Sequence, residues 1–450
     1  MNLGKEAKTI DNMQNRSLSE KEKLKRYIRA EAKHKFFDYF GFLKINPKNW
    51  FVKGSMDSVF LALVIFTLAF GLVMVFSSSY VLAMHDADCN YDTYYIIKRQ
   101  ALFAAAGLAA MLIFSRINHK FIKEFSVFLL AVSVILLIVV LFYHTTLGGD
   151  RGGIKRYIQL PGLGQFQPSE IAKLGLILFC AWGIERNRKQ IEKNVMYLLP
   201  YIAVIAVMCV LVIAENHLSG TILIFCIGIA MLFLSGAKLR WFIIFGVPLF
   251  VFGVFTVFAL WMAVNKPEEA AKFLPESIVK LGKANADTHY TMLRIIGWLD
   301  KDYDPLGVRW QTNNSLIAIG SGGFFGKGLG NSIQKHLYLS EAYNDFIFSI
   351  VCEELGFIGA LAIMVLFSLL VWRGFVIANK ARDRFGSLLV LGIVFQVGLQ
   401  AVIHMAVVTD TVPNTGIGLP FFSYGGTSLL ILLAEMGMVL SVSRTAKMRK

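Results

Sequence analysis

The sequence is poor in charge. Charged residues fill 17% of its 450 positions, against about a quarter in an average soluble domain. That shortage excludes an ordinary soluble enzyme and a disordered chain alike. Cysteine is also scarce. Cys89, Cys180, Cys209, Cys226 and Cys352 make an odd set, four of them in apolar stretches, so no disulfide framework and no zinc spacing is expected. No two of the eight histidines stand at i,i+3 or i,i+4, the spacing of a helical ligand pair. A cleavable signal peptide is not expected either, because the first long apolar run starts near Val59, behind a long basic tail.

What is present is apolar surface. Hydrophobic residues make up 56% of the chain, Phe alone contributes 37, and the mean hydropathy is +0.59. Apolar runs recur along almost the whole length at roughly 58–82, 100–115, 125–144, 169–184, 195–214, 219–235, 241–264, 346–372, 387–409 and 427–443. A helical span needs about 20 residues, so the pattern predicts an all-α polytopic membrane protein of about ten transmembrane helices. Residues 1–55 read as a basic cytoplasmic tail, 56–443 as the transmembrane domain and 444–450 as a short cytoplasmic end. Within the tail, Phe36–Leu43 is flanked by lysines, which suits either an interfacial segment on the inner leaflet or a flexible tail.

The net charge of +15 would suggest nucleic acid in a soluble protein. In a membrane protein, cations lining the cytoplasmic face account for it, and no nucleic-acid partner is expected. An even span count puts both termini on one side. With that side inside, the short inner loops carry 13 Lys and Arg and the short outer loops 5. The termini are therefore expected in the cytoplasm, on the positive-inside rule. The outer side then receives three polar regions: 145–168, the large loop 265–345 between the seventh and eighth apolar segments, and 410–426. A loop as long as 265–345 is usually functional or disordered, and its own apolar and glycine patterning predicts partial order against the membrane.

Several stretches carry candidate chemistry. Pro168 and Ser169 suit a helix start, which makes Glu170 and Lys173 neighbours on one face, as a structural salt bridge or as part of a substrate site. Asp300-Lys301-Asp302-Tyr303-Asp304-Pro305 reads as a turn, or as an external carboxylate acting as a general base. The run from Gly320 to Ser332 fails the Walker pattern, because Ser321 stands where a Gly is required and Gly328 follows Lys327. It reads as a flexible linker, or as a backbone able to approach a diphosphate through its N–H groups. Glu353, Glu354 and Glu435 fall inside apolar segments, and Gln396, Gln400 and His404 share one helix face. These suit a proton path or interhelical hydrogen bonding equally.

Four of these stretches together resemble the SEDS family (shape, elongation, division and sporulation; FtsW, RodA and SpoVE are its types). They are Lys155-Arg156-Tyr157-Ile158 leading into Phe166-Gln167-Pro168-Ser169-Glu170 with Lys173; IGSGGFFGKGLGNSIQK from Ile319 to Lys335; Asp345-Phe346-Ile347-Phe348 with Glu353-Glu354-Leu355-Gly356; and PNTGIGLPFFSYGGTSL from Pro413 to Leu429. The resemblance spans about 58–443. It implies ten helices with cytoplasmic ends and activity as a peptidoglycan glycosyltransferase that polymerises lipid II outside the cytoplasmic membrane. It implies an essential aspartate in the large outer loop, which Asp304 matches, with Asp300 and Asp302 nearby. The substrate-binding set it marks is Lys155, Arg156, Gln167, Ser169, Glu170, Lys173, Lys327, Ser332, Gln334, Asp345, Ser423, Gly425 and Gly426. The chain departs from the family where Gln-Pro-Asp-Leu-Gly-Thr is usual: here the sequence is Glu215-Asn216-His217-Leu218-Ser219-Gly220-Thr221. No role is assigned to that segment. The basic tail and Tyr94–Gln100 look more like the division and sporulation branches than the elongation branch, and a septal role is expected.

The chemistry implied joins the C4 hydroxyl of one lipid-linked disaccharide to C1 of another, with inversion at C1. Asp304 would act as base, an effect worth about 10²–10⁴-fold. Lys155, Arg156, Lys173 and Lys327 would meet the departing diphosphate. The only cofactor expected is a divalent cation, Mg²⁺ or Mn²⁺, riding on the diphosphate and Asp304, because no dedicated metal cage is visible. The family also implies a single-pass class B penicillin-binding protein and other division proteins as partners. Two other classes compete: a lipid II flippase, to which intramembrane Glu170, Lys173, Glu354 and Glu435 would lend themselves, and a non-catalytic division scaffold. An external base at Asp304 separates the enzyme from both.

Overall fold

The computed structural model describes residues 50–143, 156–160, 164–273 and 290–446. Lys155, the interfacial candidate Phe36–Leu43 and the tail up to residue 49 lie outside the described residues. The unit considered below is Phe51–Lys450.

Every apolar segment expected to be helical is helical. In chain order the helices are α1 (Ser58–His85), α2 (Tyr95–Arg116), the short α3 (His119–Glu124), α4 (Ser126–Phe142), α5 (Pro168–Lys193), α6 (Leu199–Ala214), α7 (Leu218–Phe233), α8 (Leu239–Asn265), α9 (Pro267–Phe273), α10 (Tyr290–Leu299), α11 (Trp310–Gly322), α12 (Ile347–Lys380), α13 (Arg384–Val408) and α14 (Gly426–Thr445). A small antiparallel hairpin precedes α5: β1 (Ile158–Leu160) pairs with β2 (Gly164–Phe166), Ile158 facing Phe166. Among the described residues seven helices are long and apolar enough to cross a membrane, and α4 and α7 are shorter apolar helices. In α5 the apolar part ends near Ile184 but the helix continues to Lys193, held there by an Arg188–Glu192 pair at 2.8 Å.

The polarity is inverted relative to a soluble protein. Ile65, Phe66, Leu102, Ile113, Ile135, Val210 and Ile213 point outward. Gln100, Lys173, Glu353, Glu354, Gln396, His404 and Glu435 are buried inside the bundle. Such an apolar exterior is stable only in lipid. The chain is a multi-pass membrane protein. Helix ends are tied by side chains. Asp57 caps α1 by accepting from Phe60 N at 2.8 Å, and the same carboxylate takes a two-pronged bond from Arg373 of α12 (3.0 and 2.8 Å). Asp383 caps α13 in the same way and receives His119 at 2.7 Å. Burial acts to raise the Asp383 carboxyl, but His119 and the Gly386 N–H outweigh it and hold it down at about 2.

α12 is broken. Gly356 has φ 65°, ψ −160° inside it, which splits the rod into two helices. The glycine-rich stretch fills that break. Lys327 N and Gly328 N donate to the carbonyls of Glu353 and Glu354, and Phe357 N and Ile358 N donate to those of Gly323 and Phe324. The two backbones meet so closely that a Cβ on Gly326 would lie 2.2 Å from the Glu354 carbonyl oxygen.

Much of the large loop is docked on the bundle. In α11, Ser315 Oγ bonds Ser349 Oγ and donates to Val408 O, each at 2.7 Å. Arg309 and Asp410 form a buried ion pair at 2.8 Å, and Arg309 also donates to Gly297 O at 2.6 Å. Order is thus present in α10, α11 and the segment that follows them, and the contacts that hold it are to the bundle.

Candidate functional site

A cavity of about 770 Å³ opens at the end of the bundle that carries α10 and α11. Three helices begin at its wall: Gln167, Ser169 and Glu170 at the start of α5; His217 and Gly220 at the start of α7; and Gly425, Gly426, Thr427 and Ser428 at the start of α14. The first N–H groups of a helix have no intrahelical acceptor, and together they carry about half a positive charge. Three such ends in one cavity make its wall electropositive before any side chain is counted.

The basic side chains in the lining are Arg99, Arg156, Lys173 and Arg294, and the acidic ones are Glu170, Glu341 and Asp345. Lys173 is buried, with Glu170 at 2.9 Å and the Gln400 side-chain oxygen at 3.0 Å. Gln400 in turn donates to Gly418 O at 3.0 Å, so the pair is fixed to the loop before α14. Glu170 and Lys173 form a fixed salt bridge that also lies in the cavity wall. Arg156 is buried and donates to the carbonyl of Asn216 in the α6–α7 turn. A Cβ on Gly416 would lie 3.0 Å from Asp345 Oδ2, 3.4 Å from Arg156 Nη1 and 3.5 Å from Arg294 Nη1, so three charges from distant segments converge there. Burial raises the Asp345 carboxyl against the opposing pull of Arg294 and Arg156, and burial together with Asp345 raises Glu341. Both shifts weaken the acidic side of the cavity.

The structure thus brings Arg156, Gln167, Ser169, Glu170, Lys173, Asp345, Ser423, Gly425 and Gly426 to one cavity. Their parts differ. Ser423 is a staple: its hydroxyl donates to Asn344 O and accepts from Leu419 N. Gly426 gives α14 close access to α2, since a Cβ there would strike the Phe103 ring at 2.3 Å. Thr427 Oγ1 donates to Gln165 O and ties the hairpin to α14.

Lys327, Ser332 and Gln334 are elsewhere. They surround the Glu353 carboxylate, which takes Lys327 Nζ at 2.7 Å, the Ser332 hydroxyl, Ile333 N at 3.0 Å and Gln334 N at 3.2 Å. Beside it, fully buried Lys335 pairs with Glu354 at 2.6 Å, and Ser77 donates to Glu354 at 2.6 Å. These two lysines and two glutamates neutralise each other around the break in α12.

Asp304 also stands outside the cavity lining. It is exposed, in the turn between α10 and α11, with φ 41°, and its Oδ2 accepts Val308 N at 3.0 Å. Its carbonyl accepts Gly307 N and Arg309 N. The helices that flank this turn do reach the cavity, through Arg294 of α10 and Gln311 of α11. Among the described residues no group of three or more His, Cys, Asp and Glu could hold a metal ion.

Sequence reasoning missed Arg99, Arg294, Gln311 and His217 as lining residues. Only His217 left a signal, in lying at the departure from the family pattern.

Fold and site together define a polytopic membrane protein with an electropositive cavity between helix N-termini. The chain belongs to the FtsW/RodA/SpoVE family of cell cycle proteins, whose family model matches residues 57–448. It is 37% identical to the "Probable peptidoglycan glycosyltransferase FtsW" of Trichlorobacter lovleyi, over 87% of this chain and 94% of that one. It is 35% identical to the "Stage V sporulation protein E" of Bacillus subtilis, over 88% of this chain and 99% of that one. Its fold matches a chain in a solved structure described as "Structural coordination of polymerization and crosslinking by a peptidoglycan synthase complex". The TM-score is 0.64 at 24% identity, covering 87% of this chain and 98% of that chain.

Proposed function

We propose that this chain is a peptidoglycan glycosyltransferase that polymerises lipid II into β-1,4 glycan on the outer face of the cytoplasmic membrane, in the service of septal wall synthesis. The observation that carries the reading is the cavity, where three helix N-termini, Arg156, Lys173 and Arg294 offer a seat to a lipid-linked diphosphate. The name of the Trichlorobacter lovleyi relative supports the same chemistry. Ten membrane crossings with both ends in the cytoplasm fit the helices and put the cavity on the outside.

In the reaction, the diphosphate of one lipid-linked sugar rests in the cavity and leaves as the C1–O bond breaks. The acceptor's C4 hydroxyl attacks C1 from the opposite face, giving inversion. Asp304 takes the hydroxyl proton. Its Oδ2 is engaged by Val308 N, which leaves Oδ1 for that role. Fixed cationic groups in a low-dielectric wall are suited to a leaving group whose charge grows. Among the described residues Asp304 is the one ligand this reading offers a divalent cation, whose chemistry there would be charge neutralisation. A class B penicillin-binding protein is the proposed partner, in keeping with the synthase complex whose chain shares this fold.

The test is lipid II polymerisation by the purified protein, alone and with its cognate transpeptidase. Wild type is expected to make glycan chains, Asp304→Ala to lose them, and Asp302→Ala to retain them. Full activity in Asp304→Ala would move the base to another carboxylate. No polymer from folded wild type with its partner would put the flippase or scaffold reading first.

A further inference from the structure

The α6–α7 turn is built for a purpose its sequence does not announce. α6 closes with Asn216 in the left-handed region (φ 58°), Asn216 N donating to Ile213 O and His217 N to Val212 O. This is a helix C-terminal motif that Asn tolerates and proline, with φ fixed near −65°, does not. The turn delivers His217 to the start of α7 with its ring packed over Gly220, where a Cβ would lie 2.5 Å from Nδ1. Gln167 Nε2 stands 3.5 Å from the same Nδ1. The ring is thereby fixed in the cavity wall between the N-termini of α5 and α7. Beside it, Ser169 is 1% exposed, lines the same cavity, and its hydroxyl has no hydrogen-bond partner. That hydroxyl is therefore available to a group that enters the cavity.

We infer that His217, with Ser169 and Arg156, forms the diphosphate subsite of the cavity, and that His217 takes up a proton when the anion binds. The inference rests on the proposed reading of the cavity as the seat of a lipid-linked diphosphate, and it adds a recognition residue particular to this chain. The electrostatics favour it. The charged groups that act on the ring are Arg156 and Lys173; Glu170 lines the same cavity, and Glu215 stands two positions back on the turn. Burial, then Arg156 and Lys173, hold the imidazole neutral at rest. An arriving anion reverses that balance, because a charged imidazole then answers a negative charge at hydrogen-bond distance.

The experiment measures binding of inorganic diphosphate to the purified full chain by calorimetry at pH 6 and pH 8, for wild type, His217→Ala and His217→Gln. Wild type is expected to bind more tightly at pH 6. His217→Ala should weaken binding about tenfold at pH 6, and both variants should lose the extra pH dependence while His217→Gln, a neutral donor, keeps part of the affinity. Thermal unfolding of each variant separates a binding loss from a folding loss, and a folded His217→Gln keeps the test decisive if His217→Ala does not fold. Equal affinity and equal pH slope in wild type and folded variants would overturn the inference, as would absence of binding in wild type. The measurement needs no turnover. A His217 effect in a protein that polymerises nothing would sustain the anion subsite and remove the glycosyltransferase reading, whereas glycan synthesis untouched by His217→Gln at both pH values would do the reverse.

Discussion

Glu215 lies two positions from His217, fully buried, and neither of its carboxylate oxygens accepts a hydrogen bond. Burial pushes its carboxyl up to about 8, against the opposing pull of Arg156. The folded protein therefore holds a proton there that the unfolded chain releases above about pH 4.5. Where the native state binds more protons, stability falls as pH rises, here across the interval between those two values. Glu215→Gln removes the cost and breaks no hydrogen bond of the carboxylate. It is expected to raise the melting temperature at pH 8 and to change it little at pH 5; an equal shift at both would refute the assignment. The Arg309–Asp410 pair behaves in the opposite way. Both side chains are nearly buried, at 5% and 7% exposure, and Trp298 Nε1 adds a bond to Asp410 O at 3.1 Å. Removing one partner strands the other, at about 3–5 kcal/mol. Asp410→Ala should lower the melting temperature sharply, with Asp302→Ala, an exposed residue of the α10–α11 turn, as the neutral control. None of this was legible in the sequence. Glu215 and Asp410 look like ordinary loop carboxylates until the fold puts them under cover. Arg156, Glu170 and Lys173 were legible because charges next to an apolar run are conspicuous there.

At the scale of elements, hydropathy located each apolar helix but not its ends. α5 and α12 outrun their apolar cores, to Lys193 and Lys380, because a helix leaving lipid can continue in water on hydrogen bonds and i,i+4 pairs. The glycine-rich run was open between a linker and a phosphate cradle, and its observed use is neither. It supplies backbone partners to a helix interrupted at Gly356, inside a bundle where an unsatisfied amide costs several kcal/mol. Composition alone could not reveal this, because the two segments meet only in three dimensions. The glycines are required by contact distance: a Cβ on Gly356 would lie 2.3 Å from Gly326 N. Gly326→Ala and Gly356→Ala are each expected to unseat the glycine-rich stretch from the break in α12 and lower the melting temperature by several degrees. The double variant should cost less than the sum of the two, since both remove the same contact. Full additivity, read from thermal unfolding of all three, would mean the two backbones do not act as one unit.

For the whole molecule, the fold reads as a charge-sorted object. One end holds Lys120, Lys123, Arg186, Arg188, Lys189, Lys193, Lys380 and Arg382 on short connections. The other holds the cavity, α10, α11 and the turn of Asp304. The cations at the first end sit where short loops leave the helices, which is where the positive-inside rule operates. The nine Lys and Arg of the loop 265–345 do not oppose it, since long loops translocate regardless of charge. The short loops therefore predict an orientation that puts the cavity on the outer side. A membrane-impermeant thiol reagent reads it directly. Lys301→Cys, exposed in the turn beside Asp304, is expected to react in intact cells. Lys120→Cys, exposed at the start of α3, should react only after the membrane is opened. The native cysteines are buried or half-buried, so each serves as a quiet background. Labelling of Lys120→Cys in intact cells with protection of Lys301→Cys would invert the molecule. The cavity would then face the cytoplasm, where a polymerase of the outer wall has no use for it.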